Sequence, residues 1–149
     1  MPIGWRRGRI ENIPIPVLSP IPTAMIEVIG CLHAATIVSN LDRSIEFYSE
    51  ILGLQRVDRN LNYPGAWYQI GDFQIHLIED VNYRANHQID LMKSTRNPHI
   101  ALGIRDLEVA KQQLLAANCV VKMSNSGRSA LFTQDPDGNT IELSFGELS

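Results

Sequence analysis

Apolar and polar positions along this chain fall into short runs of strand and helix length, and the runs occur twice in the same order. Cys31 to Val38 is an apolar run of strand length. Asn40 then stands as a helix N-cap, Leu41, Ile45, Tyr48 and Leu52 follow at helical spacing, and Gly53 closes the helix. Leu54 to Arg59, Ala66 to Ile70 and Phe73 to Glu79 read as strands, separated by Asn62-Tyr63-Pro64-Gly65 and Gly71-Asp72. After a polar stretch the plan returns. Pro98 leads into a strand from His99 to Ile104, and Asp106 caps a helix with Leu107, Ala110, Leu114 and Ala117 on one face. Cys119 to Met123, Ala130 to Gln134 and Thr140 to Phe145 complete it. The pattern predicts an α+β fold of two paired βαβββ modules, forming a curved, cup-shaped mixed sheet with helices on the outer face. Module 1 spans about 31–79, the linker 80–97 and module 2 about 98–146, within a single domain of 26–149.

Residues 1–25 read as a proline-rich N-terminal arm. Pro14, Pro16, Pro20 and Pro22 each lack a donor and restrict the preceding residue, so the arm is expected to be extended and polyproline-like. The same prolines break what would have been the apolar core of a signal peptide. At 149 residues the chain is long enough to bury a core without disulfides. Its net charge of −3 and scattered basic residues carry no nucleic-acid footprint; Arg6-Arg7-Gly8-Arg9 is too short to change that. No apolar run is long enough to span a membrane. Cys31 and Cys119 are expected as buried free thiols, and the protein as cytoplasmic.

Chemistry enters through the register of the repeat. His33 and His99 are 66 residues apart, and so are His76 and Glu142; the caps Asn40 and Asp106 keep the same interval. Ile75-His76-Leu77 in one half answers Ile141-Glu142-Leu143 in the other. Side chains alternate faces along a strand, so Gln74 and Ile78 accompany His76, and Thr140 and Ser144 accompany Glu142. His33, Ala35 and Ile37 share a face, as do His99, Ala101 and Gly103. The flanking apolar pairs are expected to pack on the helices while the polar faces line a cup. Three imidazoles and one carboxylate in register point to a divalent metal, with Zn²⁺, Ni²⁺, Co²⁺, Fe²⁺ and Mn²⁺ all admissible. His87 lies off register and reads as a solvated loop residue; Glu79 and Asp80 read as ordinary solvated charges. Of Trp67 and Tyr68, one is expected in the cup and one against the helices.

These residues resemble the vicinal oxygen chelate superfamily, which includes glyoxalase I, bleomycin and fosfomycin resistance proteins and extradiol dioxygenases. The resemblance covers about residues 31–146. It is carried by His33-Ala34-Ala35-Thr36-Ile37-Val38, by Leu41-Asp42-Arg43-Ser44-Ile45-Glu46-Phe47-Tyr48, and by Asp135-Pro136-Asp137-Gly138-Asn139-Thr140-Ile141-Glu142-Leu143. It implies one metal ion per site held by His33, His76, His99 and Glu142, a small-molecule substrate, and a homodimer. The implied chemistry is that of a glyoxalase-like lyase or isomerase, with the metal as Lewis acid on adjacent substrate oxygens. Glu142 is then the base, and His76 either a ligand or an acid–base group. Ile37 and Asp80 stand where glyoxalase I carries glutathione-holding residues, so glutathione is not implied as co-substrate. An Fe(II) extradiol-type dioxygenase using His33, His99 and Glu142 is an alternative, although Phe132 replaces that family's tyrosine. A ligand-sequestering protein of the bleomycin-binding type is another.

A chain beginning at Met25 is expected to keep its melting temperature in differential scanning calorimetry, because the repeat starts only near Cys31. A large loss would show that the arm is an integral element of the fold.

Overall fold

A computed structural model describes residues 25–60, 62–84 and 96–146. By its internal contacts the chain divides into two units, residues 1–30 and residues 31–149. Within the first, residues 25–30 carry no regular secondary structure, and Met25, Ile26, Val28 and Ile29 are almost fully exposed.

The second unit holds the two βαβββ modules. Module 1 runs β1 (His33–Val38), α1 (Leu41–Ile45), β2 (Gln55–Val57), β3 (Gly65–Ile70) and β4 (Phe73–Glu79). Module 2 runs β5 (His99–Ile104), α2 (Leu107–Ala116), β6 (Lys122–Met123), β7 (Ala130–Gln134) and β8 (Thr140–Phe145). Each forms its own four-stranded mixed sheet, ordered β1-β4-β3-β2 and β5-β8-β7-β6, with the first strand parallel to the fourth. The third strands are as expected, but β2 and β6 are three and two residues long, shorter than the strands expected over Leu54 to Arg59 and Cys119 to Met123. Both lie at sheet edges, where only one neighbour supplies hydrogen bonds.

The caps are those the sequence announces. Asn40 Oδ1 accepts from Arg43 N–H at 2.9 Å, and Asp106 Oδ1 accepts from Val109 N–H at 2.9 Å. Glu79 is no mere solvated charge, since its Oε1 accepts from Leu41 N–H at 2.8 Å and satisfies a helix-end donor. Beyond Ile45 the helix widens into a π-helical turn, Glu46–Ile51, which buries Phe47 and Tyr48 side by side before Gly53 ends it with φ +68°. Ile75, Leu77, Ile141 and Leu143 form the core with Phe47, Tyr48, Tyr68 and Leu114, so the apolar strand faces meet the helices. Tyr68 takes the core side and Trp67 the other. Cys119 is part-buried and Cys31 is exposed, contrary to the expected burial of both, because Cys31 precedes the first strand; both are free. His87 and most of the 80–97 linker lie outside the described residues, as does nearly all of the 1–25 arm.

A buried carboxylate joins the modules. Asp135, in the turn between β7 and β8, accepts from Tyr48 Oη at 3.1 Å, Asn139 Nδ2 at 2.8 Å, and the backbone N–H groups of Asp137 and Asn139, both at 2.9 Å. Asp137 accepts from the Ser39 backbone N–H at 3.0 Å and from the Ser39 hydroxyl, with Arg43 Nη2 at 3.7 Å. Asn139 Nδ2 also donates to the Ile37 carbonyl. Module 2's turn therefore grips the end of β1 and the helix of module 1. Burial raises the Asp135 carboxyl above its ordinary range, against the hydrogen bonds from Asn139, Asp137 and Tyr48, which lower it. A raised acid favours its protonated form in the folded state, so Asp135's contribution is fullest below its unfolded value and declines as pH rises through the folded one. Tyr48→Phe is expected to cost about 1–3 kcal/mol at neutral pH, by removing one donor from this buried acceptor. The cost should shrink toward acid pH as the carboxylate is protonated. Urea unfolding of both proteins across the acid range checks this; a pH-independent cost would contradict it.

Candidate functional site

The ladder register of the two modules is the same, and it brings the candidate residues together in pairs. In module 1 His33 lies opposite Gln74, and Ala35 opposite His76; in module 2 His99 lies opposite Thr140, and Ala101 opposite Glu142. Each pair thus spans neighbouring parallel strands, two residues out of line and therefore on one face.

In module 2 the pair is in direct contact. His99 Nε2 lies 3.1 Å from Glu142 Oε2, and His99 Nδ1 hydrogen-bonds the Asn97 carbonyl at 2.6 Å, which assigns the proton to Nδ1. The Glu142 side chain is 3% exposed. Its Oε1 also accepts from the Ser144 hydroxyl and from Arg128 Nη1 at 3.2 Å, and Arg128 Nη2 reaches Oε2 at 3.4 Å. In module 1 the His33 and His76 rings stack at 4.2 Å between centroids and 15° between planes. His76 stacks on its other side against Trp67 at 3.7 Å and 7°, and Arg59 caps the outer face of the indole at 4.3 Å. His76 Nε2 lies 2.9 Å from Gln74 Oε1. Burial first, then His33 and Arg59, lowers the His76 pKa below its ordinary value, so this ring is neutral at neutral pH and keeps a lone pair.

His33 and His76 therefore form one pair and His99 and Glu142 the other. No group of three or more His, Cys, Asp or Glu side chains in metal-holding arrangement occurs among the described residues. The four corners sit on two separate sheets of one chain. Two buried polar atoms on the same faces, Trp67 Nε1 and Thr140 Oγ1, have no hydrogen-bond partner among the described residues.

Sequence reasoning did not single out Arg128, Arg59 or the role of Trp67. Arg128 comes from a Ser-rich loop without periodicity. The aromatic neighbour is itself duplicated: Trp67 lies opposite His76 and Phe132 opposite Glu142, with Phe132 edge-on to His99 at 5.7 Å. The turn after β7 is one residue longer than a strict 66-residue repeat allows, so Trp67 finds Thr133, not Phe132, at that interval. A search allowing one inserted residue would have found it.

Comparison with known proteins gives one direction. The family model for the Glyoxalase/Bleomycin resistance protein/Dioxygenase superfamily matches residues 30–143. A protein of Vibrio cholerae named a probable lactoylglutathione lyase is 30% identical over 121 residues, covering 75% of this chain and 87% of that one. Glutathione transferase FosA of Serratia marcescens is 29% identical over 120 residues, covering 78% and 81%. A solved Bacillus anthracis protein assigned to the glyoxalase family superposes with a TM-score of 0.67 over 83% of this chain and all of that one; at 18% identity this likeness concerns the fold alone.

Trp67→Ala is expected to open one face of His76 to water and raise its pKa toward the ordinary imidazole value. Titration of the ring protons by NMR measures this; an unchanged or lower pKa would show that the indole is not what desolvates it.

Proposed function

The chain belongs to the Glyoxalase/Bleomycin resistance protein/Dioxygenase superfamily, and from that premise we propose that it is a divalent-metal-dependent, glyoxalase-like lyase or isomerase acting on a small substrate with two adjacent oxygens. The observation that carries the reading is the 3.1 Å pairing of His99 and Glu142, repeated in the same ladder register by His33 and His76. An N···O separation near 3 Å is what two ligands about 90° apart on one octahedral ion adopt when each bond is about 2.0–2.2 Å. The donors suit the borderline metals, and the unpartnered Thr140 Oγ1 and Trp67 Nε1 leave polar capacity for a bound group on the same faces. Because no chain gathers three donors among its described residues, the reading requires two copies. His33 and His76 of one chain would face His99 and Glu142 of the second, in a homodimer with one ion per chain.

When bound, the cation supplies Lewis acidity to the substrate's adjacent oxygens and stabilises negative charge developing there. The chain's own residues do the rest. Glu142, held by Ser144 and buried from water, takes the proton from the carbon beside the substrate carbonyl through Oε1 or Oε2 and returns it to the neighbouring carbon. His76, neutral and clamped by Trp67, contributes a ring nitrogen as the fourth donor. Trp67 and Phe132 floor the two half-sites with apolar rings, which favours exclusion of water from the proton transfer. Ile37 is apolar and Asp80 is acidic and turned to its own loop, its Oδ1 accepting from Asn82 N–H, so neither holds a substrate carboxylate. The relatives named for glutathione chemistry make a glutathione hemithioacetal the first compound to try, followed by other thiol and CoA adducts. The dioxygenase alternative lacks its phenolic donor, because Phe132 occupies the ladder position opposite Glu142.

Purified protein is expected to carry about one equivalent of divalent metal per chain by elemental analysis, and to elute as a dimer. No metal on the purified protein and no thermal shift with Zn²⁺, Ni²⁺, Co²⁺, Fe²⁺ or Mn²⁺ would end the reading. His76→Ala is expected to weaken metal binding by about 10–100-fold or more, as even the loss of outer-shell partners does. Full occupancy with turnover slowed about 10²–10⁴-fold would instead make His76 an acid–base residue beside a three-donor site.

A further inference from the structure

The Glu142 carboxylate is already saturated in this structure, and one of its partners has no place beside a cation. Its two oxygens accept from Ser144 Oγ and from both terminal nitrogens of Arg128, and His99 Nε2 lies 3.1 Å from Oε2. Serine and histidine remain compatible with a metal at Glu142, the first as a neutral donor to the ligand and the second as a ligand itself. Arg128 does not. Its guanidinium always carries a charge and presents donors to both carboxylate oxygens at once, so it competes for the lone pairs a cation needs and repels a dication at the same edge. The arginine also lies open to water. Its side chain is 55% exposed against 3% for Glu142, and it sits on the 124–129 loop directly after Gly127, whose φ is +78°. Beyond Glu142, its Nε donates to Ser126 Oγ at 3.2 Å, within the same loop.

We propose that Arg128 is a charge placeholder on Glu142, which keeps the buried carboxylate neutralised in the metal-free protein and is displaced when a divalent ion enters. The inference rests on Glu142 being a metal ligand, and concerns what that ligand does beforehand. A buried carboxylate without a counter-cation is costly to the fold, so an apo-state partner removes that cost and ties metal entry to departure of an arginine. Occupation of the half-site by metal and by Arg128 is mutually exclusive, and the apparent metal affinity of the native protein is lower than the intrinsic affinity of its ligands.

The test is metal affinity, measured by chelator competition with Zn²⁺ or Ni²⁺ on the full-length protein, for wild type, Arg128→Ala and Arg128→Lys. Thermal unfolding of each metal-free protein accompanies it. Arg128→Ala is expected to bind metal about 10–100-fold more tightly, the equivalent of losing one charge-assisted hydrogen-bonded pair as competitor. Its metal-free form should melt lower than wild type, and added metal should close that gap. Arg128→Lys, which keeps the charge without the fork, should fall between. Weaker metal binding by Arg128→Ala would show that the arginine orients Glu142 for the ion, and overturns the proposal. Equal affinity overturns it as well. Metal binding by neither wild type nor Arg128→Ala removes the functional reading and this proposal together, whereas metal binding by wild type without tightening in Arg128→Ala removes this proposal alone.

Discussion

A carboxylate held out of water must have its lone pairs filled, and the Asp135 side chain meets that demand by recruiting from both halves of the molecule. Three of its four donors come from its own turn, through Asn139 and the Asp137 amide, and the fourth is the Tyr48 hydroxyl from the other module. Tyr48 is itself fully buried and stacks on Tyr68 at 5.8 Å, so the hydrogen bond ties one module's turn to the other module's core. Burial and the neighbouring Asp135 raise the Tyr48 pKa well above its ordinary value, so the phenol remains a donor at any ordinary pH. With the helix and the end of β1 fixed in this way, the parallel pairing of β1 with β4 sets where His33 and His76 stand.

The two pairs then follow from strand geometry. A residue pair on adjacent parallel strands, on one face and two residues out of line, brings two side-chain tips together without help from loops. Both modules use it. What differs is the partner beneath. In module 1 the neutral imidazole of His76 is sandwiched between Trp67 and His33. In module 2 a carboxylate is wrapped by charged and hydroxyl donors. The two pairs thus differ in chemistry, one presenting two imidazoles and the other an imidazole and a carboxylate.

Much of this was legible in the sequence because it rests on local periodicity. The caps Asn40 and Asp106, the inward Ile75, Leu77, Ile141 and Leu143, and the pairing of candidate ligands all follow from periods of two and 3.6 residues and from one repeat interval. The lengths of the edge strands were not legible, since Gln55-Arg56-Val57 and Lys122-Met123 carry no clear alternation to mark where pairing stops. Glu79 as a helix cap and Asp135 as the link between modules were not legible either. Both are contacts between residues 38 and 87 apart, and nothing in the composition around them announces a distant donor. The exposure of Cys31 was not legible either, because its apolar run continues into β1 while only the β1 portion has a strand on which to pair.

The extra residue in the turn after β7 has an evolutionary corollary. The hairpin between β3 and β4 closes through Gly71 and Asp72, whereas its counterpart in the second half is the five-residue Asp135-to-Asn139 loop, turned at Gly138 with φ +83°. That loop reaches across to Ser39, Arg43 and Tyr48, while among the described residues the β3–β4 hairpin makes no reciprocal hydrogen bond to α2. The ancestral duplicate has become directional, with a gripping half and a gripped half. A tandem of two first halves would have no hook, and a tandem of two second halves would have hooks with no tyrosine to hold. Assembly therefore has a polarity that the repeated ladders lack: Leu114 stands at the repeat position of Tyr48 and has no hydroxyl to offer a second hook.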